Sequence, residues 1–228
     1  MLLFLGVWLL LWLARARNRQ LSLLSGILTM PFAVLGYIFV PAYWLPDHHV
    51  QLFRGVGIED FLFCFVSGGL VGVLIVVPHG DRCKLLPEKI LKRYLIWSGI
   101  SLALVFGAVA VGCHSLYACI GSFICCTLFC YWQRPQSIAP LLRTGVEFCL
   151  LYTAFSIVYL NFTPHAGRFW QESAISGTRC LGLPIEESLW AFSFGTAWPV
   201  IVTYLLHGKE DRNTIFKTKY VKVTEIEQ

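Results

Sequence analysis

The chain has 228 residues, of which 57% are hydrophobic and 14% charged, with a net charge of +5 and a mean hydropathy of +0.66. A soluble domain carries about a quarter charged residues. Here the apolar residues fall into long runs, which excludes an ordinary soluble enzyme and indicates a polytopic membrane protein. The basic residues are spread over several loops, where membrane topology accounts for them, so no nucleic-acid partner is expected.

Seven membrane spans are expected. Leu2 to Leu13 is short and apolar, with Arg15, Arg17 and Arg19 behind it. A secretory signal carries its charge in front of the apolar run, so this reads as an uncleaved first span. Leu21 to Trp44 is the second span, with a kink expected at Pro31 and interfacial aromatics in Pro41-Ala42-Tyr43-Trp44-Leu45-Pro46. Ile58 to about Val77 is the third, and Gly68, Gly69 and Gly72 allow close helix approach along it. A charged loop, His79 to Arg93, leads to a fourth span at Tyr94 to Gly112 and a fifth at Ser115 to Trp132. The sixth runs from Ile138 to Phe162, with Arg143 and Glu147 spaced to pair. The seventh follows Leu183 and ends near Leu206, with Pro199 expected to break it.

An extracytoplasmic N-terminus puts all but three of the 18 basic residues on one side. The exceptions are Arg54, Arg168 and Arg179. The positive-inside rule then makes the rich side, with the C-terminal tail, cytoplasmic.

Two short stretches repeat at a constant offset of 127 residues. Gly55-Val56-Gly57-Ile58-Glu59-Asp60 heads the third span, and Gly182-Leu183-Pro184-Ile185-Glu186-Glu187 heads the seventh. Leu62, Phe65 and Gly68 correspond to Leu189, Phe192 and Gly195. An internal duplication follows. The fold class expected is an all-α membrane helix bundle of two tandem, parallel three-helix repeats joined by a linker helix. Its divisions are residues 1–78, the charged loop and linker helix at 79–114, the second repeat at 115–206, and a tail at 207–228.

Acids at membrane depth are costly and tend to face a cavity or a partner. Glu59, Asp60, Glu186 and Glu187 are therefore the candidate catalytic residues. Two carboxyls in unlike surroundings can divide acid and base roles. Arg54 and Arg179, with Phe61 and Trp190 beside the acids, are the candidate substrate-binding residues. The bland alternative is that the acids are well-placed first-turn residues complementing the helix dipole.

No metal is expected, because His48, His49, His114 and His165 do not have the spacing of a ligand motif. The cysteines lack paired CxxC spacing, and a Cys113–Cys180 bridge is left open. No cofactor is expected, since no Gly-rich dinucleotide fingerprint occurs. The seventh span has no lysine for a Schiff base, and no aspartate-rich repeat indicates a diphosphate substrate.

At its acidic motifs the chain resembles the lycopene cyclase domain family, the integral-membrane, non-flavin type of heterodimeric bacterial cyclases and fungal bifunctional carotenoid enzymes. Pro184-Ile185-Glu186-Glu187 is similar to the family's Pro-x-Glu-Glu motif, and Ile58-Glu59-Asp60-Phe61-Leu62-Phe63 to its first-repeat counterpart. Pro41-Ala42-Tyr43-Trp44-Leu45-Pro46, followed by Gly57-Ile58-Glu59-Asp60, is similar to a bacterial subgroup. The resemblance implies protonation of a linear carotene end group, ring closure of the carbocation and proton loss, with no net redox change. It implies catalytic roles for Glu186, Glu187, Glu59 and Asp60, with donor and acceptor unassigned. The partners implied are the bilayer of the plasma (inner) membrane and an apolar polyene, with homo- or hetero-oligomerisation left open. The chain departs from the pattern at Gly57, where the family has proline, and in lacking an acid in its second span. The rival reading is a non-catalytic membrane protein that binds a lipid or carotenoid, its acidic pairs acting as structural locks. A transporter is the third, and acids at only one end of the spans count against it.

Overall fold

The computed structural model describes residues 2–46, 48–75, 87–135, 137–162 and 169–207. The tail, most of the charged loop, Arg168 and His165 lie outside the described residues. So does the expected division at residue 78.

Among the described residues there are seven helical rods: α1 (Leu2–Ala14), α2 (Ala16–Phe39), α3 (Ile58–Leu74), α4 (Pro87–Ala110), α5 (Ser115–Gln133), α6 (Ile138–Phe162) and α7 (Ile185–His207). Five of them, α2 and α4 to α7, are long and apolar enough to cross a membrane. α1 and α3 have 13 and 17 residues, or about 20 and 25 Å at 1.5 Å per residue. The chain is thus a helical membrane protein.

Among the described residues four short strands accompany the helices, which the all-α expectation did not include. β1 (Gln51–Phe53) pairs antiparallel with β2 (Val56–Gly57), directly before α3. β3 (Arg179–Cys180) pairs antiparallel with β4 (Leu183–Pro184), directly before α7. Gly55 and Gly182 take positive φ in the two turns, at +74° and +84°. That backbone region costs glycine nothing and costs other residues a clash at Cβ.

α3 and α7 lie at the centre. Every residue from Val66 to Leu74 is buried, as are most of those from Ala197 to Leu205. α4 is peripheral and turns Leu91, Leu95, Ile96 and Ile100 outward, the direction lipid requires. The tightest helix pairs are α2 with α3 and α6 with α7. Small residues permit both. A Cβ at Gly68 would overlap Thr29 Oγ1, one at Gly72 would sit 2.8 Å from Ser22 Cα, and one at Gly145 would overlap Thr196 Oγ1.

Hydroxyls fix the α2–α3 seam, since no water is available at that depth. Ser22 and Ser25 donate to the carbonyls of Gly69 and Gly68, at 2.8 and 2.6 Å. The same hydroxyls accept from Trp8 Nε1 and Trp198 Nε1, at 3.0 and 2.6 Å. α1 and α7 are thereby tied to one seam. The C-terminal carbonyls, orphaned at any helix end, are met from below. Asn18 Nδ2 caps Val73 and Ile75 on α3, at 2.8 and 2.9 Å. Arg93 donates to the Leu205 carbonyl on α7 at 2.9 Å.

Three local expectations need correction. α4 begins at Pro87 rather than Tyr94, because Lys89, Lys92 and Arg93 ride on the helix. α2 ends at Phe39 rather than Trp44, and Pro31 opens a 3-10 stretch from Met30 to Leu35 in place of a simple kink. α7 is not broken at Pro199 and runs on to His207. The missing N–H releases one carbonyl, which a packed helix tolerates. Arg143 and Glu147 do pair, at 2.7 Å.

Candidate active site at the heads of two helices

The β3–β4 hairpin and α7 place Glu186 and Glu187 in the first helical turn. Both are buried, at 2% and 7% exposure, which is rare for carboxylates without partners. Their partners differ. Glu187 Oε1 accepts from the Tyr43 hydroxyl at 2.6 Å and from Trp170 Nε1 at 2.9 Å. Glu187 Oε2 accepts from the Tyr152 hydroxyl. These three donors come from the segment after α2, from the connection before α7, and from α6. Burial pushes the Tyr43 phenol well above its ordinary pKa, with the adjacent Glu187 adding to the shift, so the phenol keeps its proton and donates.

Glu186 is less occupied. Its Oε1 accepts from the Ser176 backbone N–H, and the Tyr117 hydroxyl lies close by. Its Oε2 is buried and has no hydrogen-bond partner among the described residues. Beneath the pair lies an aromatic wall. Trp190 stacks on Phe63 at 5.8 Å and on Phe194 at 5.5 Å, and meets Tyr152 at 5.4 Å. Phe4 on α1 closes the wall against Phe63 and Phe155.

The first head is built on the same backbone plan with other partners. Glu59 Oε1 accepts from the N–H of His49 at 2.9 Å and of Val50 at 3.4 Å, while its Oε2 is buried without a partner among the described residues. Asp60 Oδ2 accepts from the Gly57 N–H at 2.7 Å, as a carboxylate at the third helical position does for its N-cap. The same oxygen lies 2.8 Å from His48 Nε2. The His48 ring fills the space above Gly57, where a Cβ would stand 2.5 Å from it. Glycine at position 57 therefore makes room for the histidine.

The candidate substrate-binding residues divide. Trp190 joins the aromatic wall under Glu187. Arg179 touches neither acid of its head; it pairs with Glu172 at 2.6 Å and lies 5.9 Å from the Trp170 ring, bracing a donor to Glu187. Arg54 is exposed in the first hairpin turn, and half-buried Phe61 is not part of the aromatic wall. Among the described residues no cluster of histidine, cysteine and acid is placed to hold a metal. Cys113 and Cys180 are free thiols.

Sequence reasoning missed Tyr43, Tyr152 and Trp170 as functional residues. The aromatic motif around Pro41 places Tyr43 at the membrane interface, yet it is 4% exposed. The usable signal was general: buried tyrosine and tryptophan need an acceptor for the O–H or N–H, and the spans offer few charged ones.

No curated protein and no solved structure matches the chain. The family model described as lycopene cyclase matches residues 114–205. The match takes in α5, α6, the β3–β4 hairpin and nearly all of α7, and so contains Glu186, Glu187, Tyr152 and Trp170. Over this second half the chain is similar to the lycopene cyclase family.

Proposed function

We propose that the protein cyclises the end group of a linear carotene or related polyene by carboxylate acid–base chemistry, without net redox change. The observation that carries this reading is Glu186, a buried carboxyl with one oxygen unengaged, beside an anchored Glu187 and above an aromatic wall. A carboxyl out of water can hold and release a proton where an alkene enters from lipid. Aromatic faces nearby favour a cation, by about 0.5–2 kcal/mol each. The lycopene cyclase match over residues 114–205 supports a carotenoid-cyclase-like role. On this reading the heads of α3 and α7 face the non-cytoplasmic side of the plasma membrane, and the two three-helix units are repeats.

The test is purified protein in lipid vesicles loaded with a linear carotene, with ring formation followed by chromatography and no redox cofactor added. Cyclised product supports the reading. Linear carotene unchanged in the presence of folded protein overturns it.

One observation favours the rival reading, a lipid- or carotenoid-binding protein. The three donors that meet Glu187 would also make a good structural lock. In that case a carotene would co-purify unaltered.

A further inference from the structure

The two acids at the head of α7 are bonded too differently to share one role. Glu187 meets three side-chain donors, two on Oε1 and one on Oε2. To accept a proton it must give up at least part of that set. Glu186 has Oε1 fixed by the Ser176 backbone N–H, with the Ser176 and Tyr117 hydroxyls close by, and its Oε2 is buried and unpartnered among the described residues. An oxygen in that state is costly unless something else meets it. A proton shared with a substrate carbon is one such partner.

We infer, resting on the cyclase reading, that Glu186 both gives and takes back the proton, while Glu187 stays an anion facing the cationic intermediate. The step balances as follows. The Glu186 carboxylic acid O–H bond breaks, and its proton goes to the less substituted carbon of the end-group alkene, whose π electrons form the new C–H bond. The tertiary cation left behind is attacked by the π electrons of a second alkene, which closes the ring and moves the cation onto it. A C–H bond next to that cation then breaks, its electrons form the ring alkene, and its proton returns to the Glu186 carboxylate. Glu187 exchanges no proton in this sequence. Tyr43, Tyr152 and Trp170 act through Glu187 and are positioning residues.

This division separates yield from product identity. An anion at a fixed place steers which C–H bond is lost, so weakening it scatters the ring double bond among positions. A folding defect lowers all products together. The experiment compares wild type, Glu186→Gln, Glu187→Gln, Tyr152→Phe and Trp170→Phe in vesicles with a linear carotene, at equal amounts of folded protein. Expected is loss of ring product in Glu186→Gln by about a thousandfold. Glu187→Gln should retain measurable product, about ten- to a hundredfold down, with a raised share of double-bond isomers. Tyr152→Phe and Trp170→Phe should shift the isomer share in the same direction with losses of a few-fold. Folded Glu187→Gln that makes no product, with Glu186→Gln still active, overturns the division. An unchanged isomer share in every active variant overturns it too. A wild type that forms no ring at all sinks the cyclase reading itself, and is thereby distinguishable from failure of the division alone.

Discussion

The head of α7 and the head of α3 share a backbone and differ in what surrounds it. Each is a two-stranded hairpin with a positive-φ glycine, followed at once by a helix with two acids in its first turn. At α7 the acids are buried and the donors come from both halves of the chain. At α3 Glu59 and Asp60 are partly exposed, and their partners are local: His48, His49 and the backbone of the loop. Like acids on a like frame thus become a buried site in one place and a solvent-edge cluster in the other. The frame sets where carboxylates stand, and the neighbours decide what they can do.

The largest expected effect tests the frame. Gly68→Val in the α2–α3 seam and Gly145→Val in the α6–α7 seam each force a side chain into occupied space. Overpacking costs about 1–3 kcal/mol, and more where backbone cannot yield. Both variants should lose thermal stability in detergent by several degrees or fail to accumulate. Gly99→Val, with nothing within 4 Å of its added Cβ, should match the wild type. Stability loss in only one seam would show that the two helix pairs are not equivalent.

A smaller effect is expected at Gly57. Gly57→Pro removes the N–H that Asp60 accepts and expels the His48 ring. The loss of one hydrogen bond to a charged group points to about 1.5–3 kcal/mol. The site at α7 should keep its activity, read as ring product per folded protein. Loss of activity on this change would tie the first head directly to the chemistry.

The hairpin turns give a contrast of opposite sign. The second turn needs positive φ at Leu181 as well as at Gly182, where the first needs it only at Gly55. Leucine there costs roughly 1–2 kcal/mol. Leu181→Gly should relieve it and raise the melting temperature slightly, offset by the greater freedom of glycine in the unfolded chain. Arg179→Ala comes last. It breaks a half-exposed pair with Glu172 and a contact to the Trp170 ring, worth about 1 kcal/mol or less. A small rise in ring-double-bond isomers should accompany it, since Trp170 is braced less firmly.

Much of this arrangement could be read in the chain. The helices were legible because apolar runs end at polar or glycine-containing turns, as at Trp132 and Phe162. The acids stood out because they have almost no ionisable company in the spans. The start of α4 was misplaced because lysine and arginine on a helix end look like loop in hydropathy. The hairpins were missed because strands of two or three residues carry no period, although Gly55 and Gly182 marked their turns. Tyr43 and Trp170 could not be joined to Glu187 by pattern, because 144 residues separate Tyr43 from it and only tertiary packing closes that distance. His48 was invisible for the same reason, and its place against Gly57 explains a glycine that the sequence presented only as a departure.

The most direct measurement is pigment chromatography from a lycopene-accumulating bacterial host expressing wild type, Glu186→Gln or Glu59→Gln at equal membrane levels. Expected are cyclised carotenes from the wild type, none from Glu186→Gln, and a loss of less than about tenfold from Glu59→Gln, because only the first of these carboxyls sits in the buried site between the two halves of the chain. Full activity in Glu186→Gln, with the product lost instead in Glu59→Gln, would contradict it and move the chemistry to the head of α3.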